Sequence, residues 1–328
     1  MTEHLEGRPL SDRVPHPARD FARALVGAGG ASVSAVLLYG SQLHRSSPGM
    51  HSAWDLLVVV ERYRDYHRAM RAAGYVRRAP WLMDLLGHVL PPYVTDFQPP
   101  EAEGRVAKCL VISWDQLLRA LGPHARDHFM KGRLAQHVEA VWTASDNRAE
   151  RLEAALAEAR LDTLRWAAPF LEAPFGPDDF TLGMLTVSFA GEIRPESRER
   201  VREVWEAQRE WLRETFTGVL EAGRARGVLA GNPREGYRPV RPPGRGRRLR
   251  LRAYFLVSKL RVTARWGKHM LTFNDWLTYA QRKAERRTGL TIELTPAERR
   301  WPLLLLWPKV LRVLRHGRGA PADRETPS

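Results

Sequence analysis

Cysteine is nearly absent from this chain: 328 residues contain one, Cys109. That excludes an internal disulfide framework and a zinc–cysteine site, and it fits a reducing compartment. Its neighbours, Leu110, Val111 and Ile112, mark Cys109 as a buried, inert thiol rather than a nucleophile. Long apolar runs are missing too, since no uninterrupted stretch reaches the roughly 18 residues that a membrane-spanning helix needs. Met1 to Glu6 lack a basic region followed by an apolar one, so no secretion signal is expected. His67, His88 and the other histidines show no metal-ligand spacing. No internal repeat is evident.

Acidic residues are scarce in one region only. Residues 238–318 hold 21 Lys and Arg against 4 Asp and Glu, a local balance of +17, whereas the whole chain is +15. A basic C-terminal segment is therefore attached to a body of charge −2. Such asymmetry implies a polyanionic partner, either nucleic acid or anionic lipid. An apolar fraction of 44% and eleven tryptophans exclude a wholly disordered protein.

The pattern divides the chain into three. A helix (Ala18 to Val26), a strand (Val33–Tyr39), a second strand (Trp54–Val60), a helix (Arg62–Ala73), an extended segment (Tyr93 to Gln98) and a strand (Val106–Ser113) predict an α/β domain over residues 1–146. Residues 147–235 read as helical, with long helices over Ala149–Ala168 and Ser197–Ala225. Gly231–Arg248 has the Pro, Gly and Arg content of a linker. Residues 236–328 form the basic region. There Leu249–Arg265 alternates apolar and basic residues, a helix is expected over Phe273–Arg286, and Thr295-Pro296-Ala297-Glu298 reads as a helix start. The following cluster, Trp301 to Pro308 with Leu311, Val313 and Leu314 among Lys309, Arg312 and Arg315, suits a lipid interface or a core helix with a solvated basic face.

The residues most suggestive of chemistry are Tyr39-Gly40-Ser41, with Asp55-Leu56-Leu57 beginning fourteen residues after Ser41. A strand entering a Gly-Ser turn can cradle a triphosphate on backbone N–H groups and a hydroxyl, and the next strand can present a carboxylate to Mg²⁺. Nucleotidyltransferases are built this way, usually with a second carboxylate two residues on, one pleat apart and on the same face. Here that position is Leu57. Lys108 stands at a strand start, placed to meet a phosphate, and Asp96 in its extended segment could add a carboxylate. Ser188 to Arg194 falls between helices.

The order of these segments resembles the mitochondrial translocator assembly and maintenance family, peripheral CTP:phosphatidate cytidylyltransferases. The shared stretches are Tyr39-Gly40-Ser41 with Asp55-Leu56-Leu57, then Gly104-Arg105-Val106-Ala107-Lys108 leading to Val111-Ile112-Ser113. Gly132-Arg133-Leu134 and Ser188-Phe189-Ala190-Gly191-Glu192-Ile193-Arg194 follow. The resemblance covers roughly residues 30–225. In the last stretch Phe189 and Glu192 replace the family's Tyr and Asp. The resemblance implies a nucleotidyltransferase-like mixed α/β sheet, a winged-helix-like module over the helical part, and peripheral membrane binding by the basic amphipathic C-terminal region, residues 249–318.

It further implies that phosphatidate attacks the α-phosphorus of CTP to give CDP-diacylglycerol and pyrophosphate. A phosphate nucleophile is already anionic near neutral pH, so the demand for a second carboxylate is relaxed. The expected assignments are Asp55 and Asp96 on Mg²⁺, and Gly40, Ser41, Lys108 and Ser188 on the nucleotide. Lys108 also neutralises phosphate charge, and Glu192 and Arg194 close the site. The expected location is cytoplasmic, on the inner face of the cell membrane. Three other readings stand beside this one: a nucleotidyltransferase acting on RNA or protein, a catalytically silent membrane-binding module, and the same chemistry on a different acidic lipid. The basic tail lacks an RNA-binding signature, which argues against a nucleic acid partner.

Overall fold

The computed structural model describes residues 14–43, 53–102, 104–191, 197–272, 281, 293–300 and 308–309. The chain divides into two compact units, Met1–Thr272 and Phe273–Ser328.

The first unit is built on a mixed five-stranded sheet of order β3-β4-β2-β1-β5. Its strands are β1 (Val33–Tyr39), β2 (Trp54–Val60), β3 (Tyr93–Phe97), β4 (Ala107–Ser113) and β5 (Val138–Thr143). β2 and β4 run parallel; the other neighbours are antiparallel. All seven residues of β1 are buried, as the apolar run Val-Ser-Ala-Val-Leu-Leu-Tyr requires of a strand covered on both faces. One face packs on α1 (His16–Gly29) and α2 (Tyr63–Ala72), where Phe21, Leu25, Val36, Leu38, Leu56, Val58 and Tyr66 share a core. α4 (Trp114–Leu121) and α6 (Asp146–Leu161) also pack on the sheet. α3 (Pro80–His88) lies against α2, and α5 (Phe129–Leu134) leads into β5.

A second apolar core is helical. α7 (Thr163–Trp166), α8 (Pro177–Ala190), α9 (Arg198–Glu206) and α10 (Arg209–Ala225) gather Trp166, Phe180, Met184, Trp205, Leu212, Phe216 and Leu220. Leu212, Phe216 and Leu220 recur every fourth residue, the spacing of one helix face. A hairpin of β6 (Leu229–Asn232) and β7 (Gly236–Pro239) follows, then α11 (Arg245–Thr272).

The sequence predicts longer helices than these. The helix expected over Ala149–Ala168 is interrupted at Asp162, which keeps helical angles (φ −62°, ψ −16°) and whose carboxylate receives the buried Lys131 ammonium at 2.5 Å. The helix expected over Ser197–Ala225 breaks at Gln208, which leaves helical angles (φ −129°, ψ 15°). Its side chain accepts from His137 N–H at 3.1 Å and donates to Gln136 Oε1 at 3.2 Å. The expected linker at Gly231–Arg248 is partly hairpin, because Asn232 Oδ1 caps the turn by accepting from Arg234 and Glu235 N–H.

In the second unit α12 (Pro296–Arg300) begins at the expected cap. Thr295 Oγ1 accepts from Glu298 N–H at 3.3 Å while Glu298 Oε2 accepts from Thr295 N–H at 2.8 Å. The helix expected over Phe273–Arg286 lies outside the described residues, apart from residue 281. Among the described residues no helix is long and apolar enough to cross a membrane.

Candidate functional site

Strand register puts three of the candidate residues in one row. Asp55 on β2 pairs with Lys108 on β4, and Lys108 pairs with Asp96 on β3. Neighbouring strands in register point paired side chains to the same face, here the face away from the Phe21–Leu25 core. The Lys108 ammonium stands 3.9 Å from the Asp55 carboxylate, with the two side chains 40% and 31% exposed. Asp96 is two strands from Asp55, about 9.5 Å across the sheet, with Lys108 between. Burial pulls the Arg78 guanidinium below its usual value and the Asp96 charge opposes that shift, so a second cation stands by this carboxylate. The register thus places Asp96 beside Lys108 and not beside Asp55.

Leu57, where a second carboxylate is usual, is completely buried. It pairs with Leu37 on one side and Leu110 on the other. A carboxylate there would lose its hydration between two leucines with no partner, which is costly. The single Asp therefore belongs to the packing of this sheet.

The Gly-Ser turn meets Asp55 directly. Gly40 has φ +84°, a left-handed conformation that a side chain strains. A Cβ on Gly40 would stand 3.1 Å from Asp55 Oδ2. Only glycine both makes this turn and leaves the carboxylate its space. Ser41 opens a short 3₁₀ turn, Ser41–Leu43.

On its other side the turn opens on a cavity of about 330 Å³. Tyr39, Gly40 and Ser41 form one wall, Arg133, Gln136 and His137 another, and Phe189, Arg200 and Gln208 lie on the helical side. Arg133 is held over the Phe129 ring at 3.8 Å. His137 stacks on Trp211, with centroids 4.6 Å apart and planes at 20°. His137 Nε2 lies 2.8 Å from Glu139 Oε1. Arg200 is paired with Glu203 at 2.8 Å. The cavity wall thus carries two arginines, a histidine and Ser41 against one acid, Glu203, a balance that suits an anion.

Ser188 is placed elsewhere. It is buried, its Oγ is 3.2 Å from His128 Nε2, and a Cβ on Gly132 would lie 2.3 Å from that oxygen. The glycine of Gly132-Arg133-Leu134 is thus explained by close packing against Ser188, and Phe189 takes the cavity wall instead. Glu192 and Arg194 lie outside the described residues. Sequence reasoning missed Gln136, His137, Arg200 and Gln208. Only the Gly132-Arg133-Leu134 triplet, next to two of them, signalled this wall.

Mg²⁺ takes oxygen ligands and is commonly held by one or two carboxylates, with substrate phosphates and water completing its shell. The partly exposed Asp55 carboxylate behind the Gly40 turn fits that demand. Among the described residues no group of three or more His, Cys, Asp or Glu could hold a metal ion alone.

Searched against protein-family models and against curated proteins, the chain matches none.

Proposed function

We propose that this chain is a CTP:phosphatidate cytidylyltransferase. The observation that carries the reading is the Gly40–Ser41 turn, which packs against Asp55 on one side and on the other lines a cavity with Arg133, His137 and Arg200. In this reading the sheet is the nucleotidyltransferase scaffold. α8, α9 and α10 with the hairpin β6–β7 form the winged-helix-like module that closes over the nucleotide.

The turn and the cavity cations receive the CTP phosphates, and Asp55 is the residue that would hold Mg²⁺. Bound there, Mg²⁺ supplies charge neutralisation at the phosphates. An oxygen of the phosphatidate phosphate attacks the α-phosphorus. The bond to the bridging oxygen breaks and its electron pair leaves with pyrophosphate. The nucleophile needs no proton removed, so a site with one carboxylate on β2 suffices. Lys108, next to Asp55, neutralises phosphate charge during approach. Asp96 keeps Lys108 and Arg78 in place from the neighbouring strand rather than sharing Mg²⁺ with Asp55.

An anionic membrane supplies the acceptor. α11 supports this assignment: it contains nine Lys and Arg and no acid. It turns Leu249, Leu256, Val257 and Leu260 to solvent at 49–68% exposure. Apolar side chains among cations suit the boundary between acyl chains and headgroups. The choice of cytosine over other bases rests on the family resemblance.

The test is incubation with each labelled NTP in turn, Mg²⁺ and phosphatidate vesicles, followed by lipid extraction. Label passing from CTP alone into the lipid is the expected result. Label from no nucleotide overturns the reading in favour of a silent module.

A further inference from the structure

α3 carries an apolar stripe that the fold does not use. Met83 and Gly87 face inward, whereas Trp81, Leu85 and Val89, spaced four apart, are 62%, 55% and 48% exposed. Trp81 and Leu85 share one face of the helix and Val89 follows as its extended C-cap, so the three form a patch, unlike surface residues scattered singly.

The stripe ends where α11 crosses. Lys268 Nζ donates to the carbonyls of Leu86, Val89, Leu90 and Pro92 at 2.6–3.1 Å. Arg265 donates to those of Leu90 and Pro91 at 3.0 and 2.7 Å. The carbonyl end of α3, where the helix dipole is negative, is therefore covered by two cations of α11. Asp84, the one acid of α3, faces His88 at 3.6 Å. Arg77 and Arg78 precede the helix. Apart from Asp84, the stripe thus stands beside the exposed Arg77 and adjoins a helix with nine Lys and Arg and no acid.

Charge selects the occupant. An acidic surface is attracted, and a convex helix face bearing Trp, Leu and Val matches a bilayer boundary better than a protein groove. We propose that Trp81, Leu85 and Val89 are a second contact with anionic lipid beside α11, so that two helices rather than a tail alone set how the protein sits on the membrane. This rests on the membrane reading above, but not on the catalytic one.

The test uses the full chain, without nucleotide, and phosphatidylcholine vesicles with and without phosphatidylglycerol. The wild type is expected to co-sediment with the anionic vesicles. The double variant W81S/L85S, altered only at exposed positions, is expected to bind about tenfold or more weakly with an unchanged melting temperature. V228S/V240S, which also replaces two exposed valines, is the control expected to bind like the wild type. Unaltered vesicle binding by W81S/L85S overturns the proposal. So does conversion of a wild-type dimer to a monomer with vesicle binding intact, which makes a second copy the occupant. Loss of vesicle binding in a chain that labels no lipid leaves this proposal standing and removes the catalytic one.

Discussion

Two charged clusters in this molecule each pair an aspartate with long-chain cations and behave oppositely. Under α11, Asp127 accepts from Arg265 at 2.9 Å and from Arg261 at 3.1 Å. The Arg265 side chain is fully buried, lies 4.6 Å over the Phe129 ring and also holds two carbonyls. At the sheet, Asp55 and Lys108 stand 3.9 Å apart and are 31% and 40% open to solvent. The first cluster is closed and hydrogen-bonded within the fold; the second is loose and lies against the Gly40 turn. Burial and short bonds identify the structural clamp, and openness beside a glycine turn identifies the candidate for chemistry. Charge alone does not separate them: the sequence reading assigns the whole basic C-terminal region to lipid, yet Arg265 and Lys268 of that region are anchors in the body.

The comparison can be broken most forcefully at the clamp. Asp127→Ala leaves Arg265 buried without its carboxylate and is expected to cost about 3–5 kcal/mol of stability by denaturant unfolding. A loss below 1 kcal/mol would put the clamp in the same class as the open row.

Buried histidines give the next largest effect. Burial pushes His67 down to about 4, and burial, with Lys131 adding to it, pushes His128 down to about 3. An unfolded histidine titrates near 6.5, so the unfolded chain binds more protons below that pH. Stability from these two is present above pH 6.5 and is lost as pH falls toward 4, by up to about 1.4 kcal/mol per pH unit for each. Denaturant melts at pH 7.5, 6.5 and 5.5 should show the decline, and H67N and H128N should each flatten it.

Smaller still is Gly40→Ala. Its positive φ is expected to cost about 1–2 kcal/mol. The new methyl, 3.1 Å from Asp55 Oδ2, should lower nucleotidyl transfer about tenfold or more while the protein stays folded. The smallest change in stability is expected at the open row. Asp55→Asn should alter unfolding free energy by less than about 1 kcal/mol, as exposed pairs do. The same removal of a carboxylate charge would thus cost the clamp several times more than the site.

Much of the sheet was legible because strands buried on both faces leave unbroken apolar runs. β1 and β2 have the bounds that Val33–Tyr39 and Trp54–Val60 predict, and β4 and β3 differ by one residue at an end. β5 was not, since Val138, Val141 and Thr143 are buried among half-exposed Glu139, Ala140 and Trp142 with no clean alternation. The helix break at Gln208 was hidden because the His137 N–H its side chain accepts from is 71 residues away. At the site, a local motif revealed Gly40, Ser41 and Asp55. The row with Lys108 and Asp96 depended on strand order, which spacing does not encode. The cavity wall of Gln136, His137, Arg200 and Gln208 depended on how the helices pack against α5 and β5, and only the neighbouring Gly132-Arg133-Leu134 triplet hinted at it. Ser188 shows the converse: its position in a motif suggested a ligand contact, and packing against Gly132 accounts for it.

The most direct test compares wild type with Asp55→Ala in the labelled-CTP assay on phosphatidate vesicles, with a melt of each protein alongside. Label entering the lipid with the wild type, falling by at least about 10²-fold in the variant at equal stability, is the predicted result. An Asp55→Ala protein that labels lipid as well as the wild type contradicts the account.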